Sequence, residues 1–213
     1  MSSNFLNALG GTRLYPLTDR RLSGLSHAEQ VSQLSEGGAT VIQLREKSLS
    51  PLEFCGEAQE ALRVARTRGI KIIINDRVDI ALALNADGVH LGQDDMPPEA
   101  ARRILGPDSI IGLSTHNLAQ ARLAREMPVD YVAIGPIFAT LTKQASDFPV
   151  GLEGLRLARQ AVGELPLVAI GGITLENSLD VLTAGGDAFA VIRDIWIPAG
   201  QAAAQTKRLL HHP

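Results

Sequence analysis

Gln43, Arg45 and Lys47 are spaced by two, so an extended backbone turns all three side chains toward one side. Two cations aimed into a confined space imply an anion there, because an unpaired charge taken out of water is heavily penalised. Glu46 stands between them and, with other carboxylates, offers the plainer alternative of a paired, solvated strand end. Further along, Asn75-Asp76-Arg77 and Gln93-Asp94-Asp95 supply acids. A carboxylate from each of two neighbouring segments can hold one hard cation, and Mg²⁺ is usually bound by one or two carboxylates, with waters and phosphate oxygens completing its octahedron. Pairing Asp76 with Asp95 therefore predicts Mg²⁺ bound together with a diphosphate. The plainer alternative is helix capping by Asp94 or Asp95 ahead of Pro97 and Pro98, with a salt bridge for Asp76.

Three more segments carry polar chemistry. Ser114-Thr115-His116-Asn117 offers hydroxyls, an imidazole and a helix-capping amide. Gly135-Pro136-Ile137-Phe138-Ala139-Thr140-Leu141-Thr142-Lys143 alternates hydroxyls and ends on an ammonium, a set suited to phosphate or carboxylate oxygens. Gly171-Gly172 and Ile192-Arg193-Asp194 follow the last two apolar runs, where a backbone cradle could meet a second phosphate. No Gly-x-x-x-x-Gly-Lys loop, Gly-x-Ser-x-Gly elbow or Cys/His metal spacing occurs, which removes support for nucleotide hydrolases, serine hydrolases and zinc sites. Two anion-attracting regions, one with a metal pair, favour transfer of a group away from a diphosphate.

Those residues must be positioned by something regular. Eight short apolar runs alternate with amphipathic or Ala-rich stretches: 14–18, 40–44, 70–74, 88–91, 110–113, 131–134, 167–170 and 189–192. Such runs read as parallel strands buried on both faces. Eight β/α units in 213 residues predict a compact (β/α)₈ TIM barrel, α/β in class and a single domain over 1–213, with 1–12 as an N-terminal extension and 197–213 as a C-terminal helix or tail. A doubly wound sheet is the alternative. The chemistry-bearing residues fall at the C-terminal ends of these runs, where barrel active sites lie. Asp87, Asp130 and Asp187 each precede a run and belong to the opposite, structural face. Ser26, Ser50 before Pro51, Pro97 as a first helical residue, and the Thr174–Asn177 turn mark helix starts. The stretch from Gly135 to Gly151 has no periodic signal and is expected to be an active-site flap.

Composition narrows the setting. With 20 Lys+Arg against 23 Asp+Glu and 4% aromatics there is no footprint of nucleic-acid binding, and no apolar run approaches a membrane span. The start lacks a secretory pattern and Cys55 is the sole cysteine, so cytoplasmic localisation is expected, with small molecules as partners and a homo-oligomer left open.

Taken together, Gln43-Leu-Arg-Glu-Lys47, Ile74-Asn-Asp-Arg77, Gly88-Val-His-Leu-Gly-Gln-Asp-Asp95, Ser114-Thr-His116, Gly135-Pro-Ile-Phe138 through Thr140-Leu-Thr-Lys143, and Ala169-Ile-Gly-Gly-Ile173 resemble the thiamine-phosphate synthase family over about Leu14 to Trp196. That resemblance implies condensation of a hydroxymethylpyrimidine diphosphate with a thiazole phosphate or its carboxylate, releasing diphosphate. It implies that Gln43, Leu44, Arg45, Glu46, Lys47, Asn75, Ser114 and Lys143 meet the pyrimidine diphosphate, with Arg45, Lys47, Lys143 and Ser114 as the catalytic set. Asp76 and Asp95 would hold Mg²⁺, while Thr140, Thr142, Gly172, Ile192 and Arg193 would meet the thiazole phosphate. Ala139 replaces a frequent Pro, and Arg193 replaces a frequent Ser; a guanidinium can still contact phosphate. A thiazole tautomerase is similar to the same sequence, but there the metal and diphosphate residues are altered and the His116 counterpart transfers protons. A sensor of thiamine intermediates is a further alternative that would not need the metal pair. His116 is expected to be structural.

Overall fold

The computed structural model describes residues 4–140 and 148–211. In chain order the elements are α1 (Asn4–Leu9), β1 (Leu14–Pro16), α2 (Arg20–Ser23), α3 (His27–Glu36), β2 (Val41–Leu44), α4 (Pro51–Thr67), β3 (Lys71–Asn75), α5 (Val78–Ala83), β4 (Gly88–Leu91) and α6 (Pro98–Leu105). They continue as β5 (Ile110–Thr115), α7 (Leu118–Ala124), β6 (Tyr131–Ile134), α8 (Gly151–Val162), β7 (Leu167–Ile170), α9 (Ser178–Thr183), β8 (Ala188–Val191), α10 (Arg193–Trp196) and α11 (Ala202–His211). Eight parallel strands run in the order β1-β8-β7-β6-β5-β4-β3-β2. The ring closes just beyond β1, where Leu17 bridges to Gln43 and Thr18 N–H donates to the Gln43 carbonyl at 2.9 Å. This is the expected (β/α)₈ barrel. The first strand is shorter than its apolar run, β3 and β5 extend further, and Asn75, Ser114 and Thr115 consequently sit within strands rather than after them.

Strand pleating sends alternate side chains to opposite faces, and the core divides accordingly. Ile42, Leu44, Ile72, Ile74, Val89, Leu91, Ile111 and Leu113 face the helices in one apolar cluster. Tyr15, Leu17, Val41, Ile73, Ile110, Tyr131, Ala133, Val168, Ala188 and Ala190 fill the lumen in another. Helix α1 closes the N-terminal end of that lumen. Its Phe5 stacks on Tyr131 with ring centroids 3.9 Å apart and meets the edge of Tyr15 at 5.3 Å.

The helix starts follow local chemistry, with some departures from expectation. Ser26 and Ser50 cap α3 and α4 in full capping boxes with Glu29 and Glu53, and Pro51 is the first residue of α4. Helix α6 begins one residue later than expected, with Pro97 at the cap position and Pro98 first, and neither Asp94 nor Asp95 caps it. Asp95 instead accepts the Gly92 N–H at 2.6 Å. Asn177 likewise does not cap α9; its Oδ1 closes a turn on Thr174 N–H at 2.9 Å.

The three acids ahead of strands share one job. Asp87, Asp130 and Asp187 accept the N–H of Ile72, Ile111 and Leu167 respectively, each at 2.8 Å, so each ties the approach to one strand onto the strand before it. Their carboxylates also meet Lys71, Arg102 and Arg159. Replacing Asp130 strands both a strand N–H and the Arg102 guanidinium. Asp130→Ala is expected to lower unfolding free energy by about 2 kcal/mol in chemical denaturation, while turnover of the protein that remains folded is unchanged.

Candidate active site

The C-terminal ends of β2, β3, β4 and β5 bring the expected polar residues together. Arg45 follows β2, and its backbone N–H donates to the Thr18 hydroxyl at 3.1 Å. Its guanidinium pairs with Asp19 at 3.0 Å. Asp19 is itself fixed: it accepts the Leu22 N–H as the cap of α2, and its own N–H donates to Gln30. Lys47 pairs with Asp76, and the Lys47 side chain is about half exposed. The partners of the two cations are therefore Asp19 and Asp76 and not Glu46.

Glu46 has a different function in the loop. Its side chain is only 4% exposed, and one carboxylate oxygen accepts the backbone N–H groups of Lys47, Ser48 and Leu49 as well as the Ser48 hydroxyl. The other oxygen lies 3.4 Å from Nε2 of fully buried His27. Leu44 points into the helix-facing core. Leu44 and Glu46 can therefore meet a ligand through the main chain only.

The acids form a second focus. Asp76 has φ of 64°, a left-handed backbone uncommon outside glycine, and its N–H donates to the His90 carbonyl at 2.8 Å. That conformation costs free energy and is characteristic of sites where a side chain must be aimed. Burial and a side-chain hydrogen bond with Asp76 push the Asp95 carboxyl up, against the Gly92 N–H and the Lys47 charge, which pull it down. Two acids held close together are suited to a divalent cation, which would relieve their repulsion. No cluster of three or more His, Cys, Asp or Glu occurs among the described residues, so a metal on this pair would draw its other ligands from water and substrate.

Around these foci lie unsatisfied or backbone donors. Asn75 is 7% exposed, and its buried Nδ2 has no hydrogen-bond partner among the described residues. Ser114 lies on β5 beside the acids, its carbonyl accepting from Gln93 Nε2 at 2.6 Å. His116 is anchored to the Gly135 carbonyl through Nδ1 at 2.9 Å, in keeping with a structural part.

Across the mouth, Gly171 and Gly172 have φ of 98° and 67°, and the 136–139 segment packs so closely that a Cβ on Gly172 would lie 2.7 Å from the Ala139 carbonyl. The main chain of this segment is pinned to β7: Ile137 N–H and Phe138 N–H donate to the carbonyls of Ile170 and Gly171. The two glycines therefore serve a structural turn and also leave backbone open at the barrel mouth. Ile192 immediately precedes the short α10, and Arg193 at its start is exposed. Thr140 closes the described part of the loop, whereas Thr142, Lys143 and most of the expected flap lie outside the described residues.

Two groups of residues were not foreseen from the sequence. Arg20 and Arg21 join Asp19, Arg45, Glu46 and Lys47 around one hollow, which makes it more basic than the β2 motif alone implies. The Asp19-Arg20-Arg21 run directly after the first strand was the available signal. His90, 6% exposed, points into the lumen from β4, and burial pushes its ring down to about 4, leaving it neutral near physiological pH.

Glu46 sets a pH dependence. Burial alone would raise its carboxyl, but the Ser48 hydroxyl and the loop N–H groups prevail and hold it at about 2, below the free value of 4.5. A depressed folded pKa gives stability that is complete above the unfolded pKa and is lost as pH falls through the folded one, on the order of 3 kcal/mol here. Denaturation from pH 7 to pH 2 is expected to show Glu46→Gln less stable than the parent at neutral pH, with the difference vanishing between about pH 4.5 and 2.

Comparison with known proteins bears on the family and the fold. A family model described as thiamine monophosphate synthase matches residues 14–195. The thiamine-phosphate synthase of Chloroflexus aurantiacus is 47% identical over 198 residues, covering 92% of this chain and 90% of the relative. That of Clostridium novyi is 48% identical over 184 residues, covering 86% and 90%. The solved thiamine phosphate pyrophosphorylase from Pyrococcus furiosus superposes with a TM-score of 0.83 at 39% identity, covering 93% of both chains. With nine-tenths of its length aligned to these proteins and the family model running from β1 into α10, the chain belongs to the thiamine monophosphate synthase family.

Proposed function

We propose that this chain joins a hydroxymethylpyrimidine diphosphate to a thiazole phosphate, or its carboxylate, with release of diphosphate. The observation that carries the reading is the contact of Lys47 with Asp76 and of Asp76 with Asp95 at adjoining strand ends, beside Arg45. In the reaction the bond between the pyrimidine methylene carbon and the diphosphate oxygen breaks, its electron pair leaves with diphosphate, and the thiazole nitrogen closes the new C–N bond.

The protein's part is to receive the charge that gathers on the leaving group. Arg45 is held by Asp19 and so presents a fixed guanidinium, while half-exposed Lys47 offers a mobile charge, with Lys143 proposed to join them. Preorganised cations of this kind lower the barrier without having to reorganise as charge develops. Asp76 and Asp95 would hold Mg²⁺, whose charge when bound would further neutralise the diphosphate. Gln43, Asn75 and Ser114 would orient the pyrimidine diphosphate, with Leu44 and Glu46 contributing main chain. Thr140, Thr142, Gly172, Ile192 and Arg193 would receive the thiazole phosphate. Among the described residues no helix is long and apolar enough to cross a membrane. On this reading the partners are small phosphorylated molecules and the setting is the cytoplasm.

Purified protein given both substrates and Mg²⁺ is expected to release diphosphate in step with thiamine phosphate. Asp76→Ala should lose Mg²⁺-dependent turnover by about a hundredfold or more while its far-ultraviolet circular dichroism is unchanged. Thiazole tautomerisation without diphosphate release, or full turnover in Asp76→Ala, would overturn the assignment.

A further inference from the structure

Below the mouth of the barrel runs a row of polar side chains for which diphosphate neutralisation has no use. Gln43 Nε2 lies 3.0 Å from the Tyr15 hydroxyl, and the Tyr15 hydroxyl lies 2.9 Å from that of Tyr131. The Tyr131 hydroxyl is 2.8 Å from His90 Nδ1, and His90 Nε2 is 2.8 Å from the Ser114 hydroxyl. The row crosses the lumen from β2 through β1, β6 and β4 to β5, and both of its ends are residues proposed to meet the pyrimidine diphosphate.

Counting hydrogens gives the row a direction. The Gln43 amide nitrogen can only donate, so the Tyr15 oxygen accepts from it. The Tyr15 hydrogen then has one acceptor among the described residues, the Tyr131 oxygen. Tyr131 in turn donates to Nδ1 of His90, which must be the bare nitrogen, and the ring proton sits on Nε2 and is donated to Ser114. In the opposite order the buried Tyr15 hydrogen is stranded, and with both ring nitrogens protonated one of the two buried phenol hydrogens is, at the cost of an unsatisfied donor.

We infer that Tyr15, Tyr131 and His90 are positioning residues that hold His90 in its Nε2–H form, so that Ser114 accepts from the histidine and directs its own hydrogen to a lone pair of the bound substrate. Among the described residues the Ser114 oxygen has no other partner, which leaves that hydrogen available to a ligand. The part played by Ser114 rests on the function proposed above, whereas the proton order along the row does not.

The lumen is shaped around this row. Tyr131 is fully buried, and a Cβ on Gly112 would sit 2.1 Å from Tyr131 Cζ and 2.4 Å from its hydroxyl oxygen, so any other residue on that part of β5 would displace the phenol from His90. The His90 and Tyr131 rings stack with centroids 5.4 Å apart at 23°. Phe5 lies against Tyr131 on the plug side.

The experiment has two readouts. Long-range nitrogen–proton NMR on histidine-labelled, substrate-free protein near neutral pH is expected to show His90 as the Nε2–H tautomer, with Tyr131→Phe abolishing that bias. An Nδ1–H ring, a doubly protonated ring, or an unchanged tautomer in Tyr131→Phe overturns the proton order. In steady-state kinetics Tyr131→Phe should lower kcat/KM for the pyrimidine diphosphate by about tenfold, and Ser114→Ala should cost much less in that background than in the parent. Additive losses, with the tautomer as expected, overturn the link from His90 to Ser114. Tyr15→Phe serves as the second variant if Tyr131→Phe fails to fold. Absence of any diphosphate release by the parent overturns the proposed function and leaves the NMR result standing.

Discussion

A closed barrel of short strands has a lumen from which water is excluded, and any polar group turned into it must find a partner inside. That constraint organises this molecule. On most inward positions it is met by removing polarity altogether, with Val, Ile, Leu and Ala. Along one line across the barrel it is met by keeping polarity and chaining it, from Gln43 to Ser114. Gly112 supplies the room for Tyr131, and Phe5 supplies the cover. The functional end of the barrel thus depends on how its closed end is packed.

Charge at the mouth obeys the same rule in a wetter place. Each cation of the β2 motif has an acid of its own, and those acids are differently tethered. Asp19 is locked by a helix cap, so Arg45 is a fixed point. Asp76 is held on a left-handed backbone between Lys47 and Asp95 and carries competing attachments. On the proposed function, an incoming diphosphate with a cation would exchange the second set of contacts without disturbing the first. Glu46, placed between the two in sequence, stays out of this exchange because its carboxylate is consumed by the loop that carries Lys47.

The eight strands were legible because parallel strands buried on both faces leave uninterrupted apolar runs, and their ends disagree with the runs by only one or two residues. The mouth was legible for a related reason: polar residues that break off an apolar run must lie at a strand end. What could not be read was pairing. Asp19 and Arg45 are remote in sequence, and nothing local says which acid meets which base. His90 was hidden in the opposite way, as one polar residue inside an apolar run whose partners lie on two other strands. Helix α1 carries neither an acidic first turn nor a basic last turn to mark it, and only the lumen it fills gives it a purpose.

The closing edge of the barrel bears on how the chain acquires its structure. β1 pairs in parallel register with β8, with Leu14 opposite Phe189 and Pro16 opposite Val191, and the Trp196 indole N–H donates to the Leu17 carbonyl. The first strand of the barrel is therefore completed only by its last. Until then both sheet edges stay unpaired and the lumen has no fixed volume. The closure joins segments separated by almost the whole described chain, whereas every other strand pair joins neighbours in sequence, so this one pairing carries the largest loop-closure entropy in the barrel.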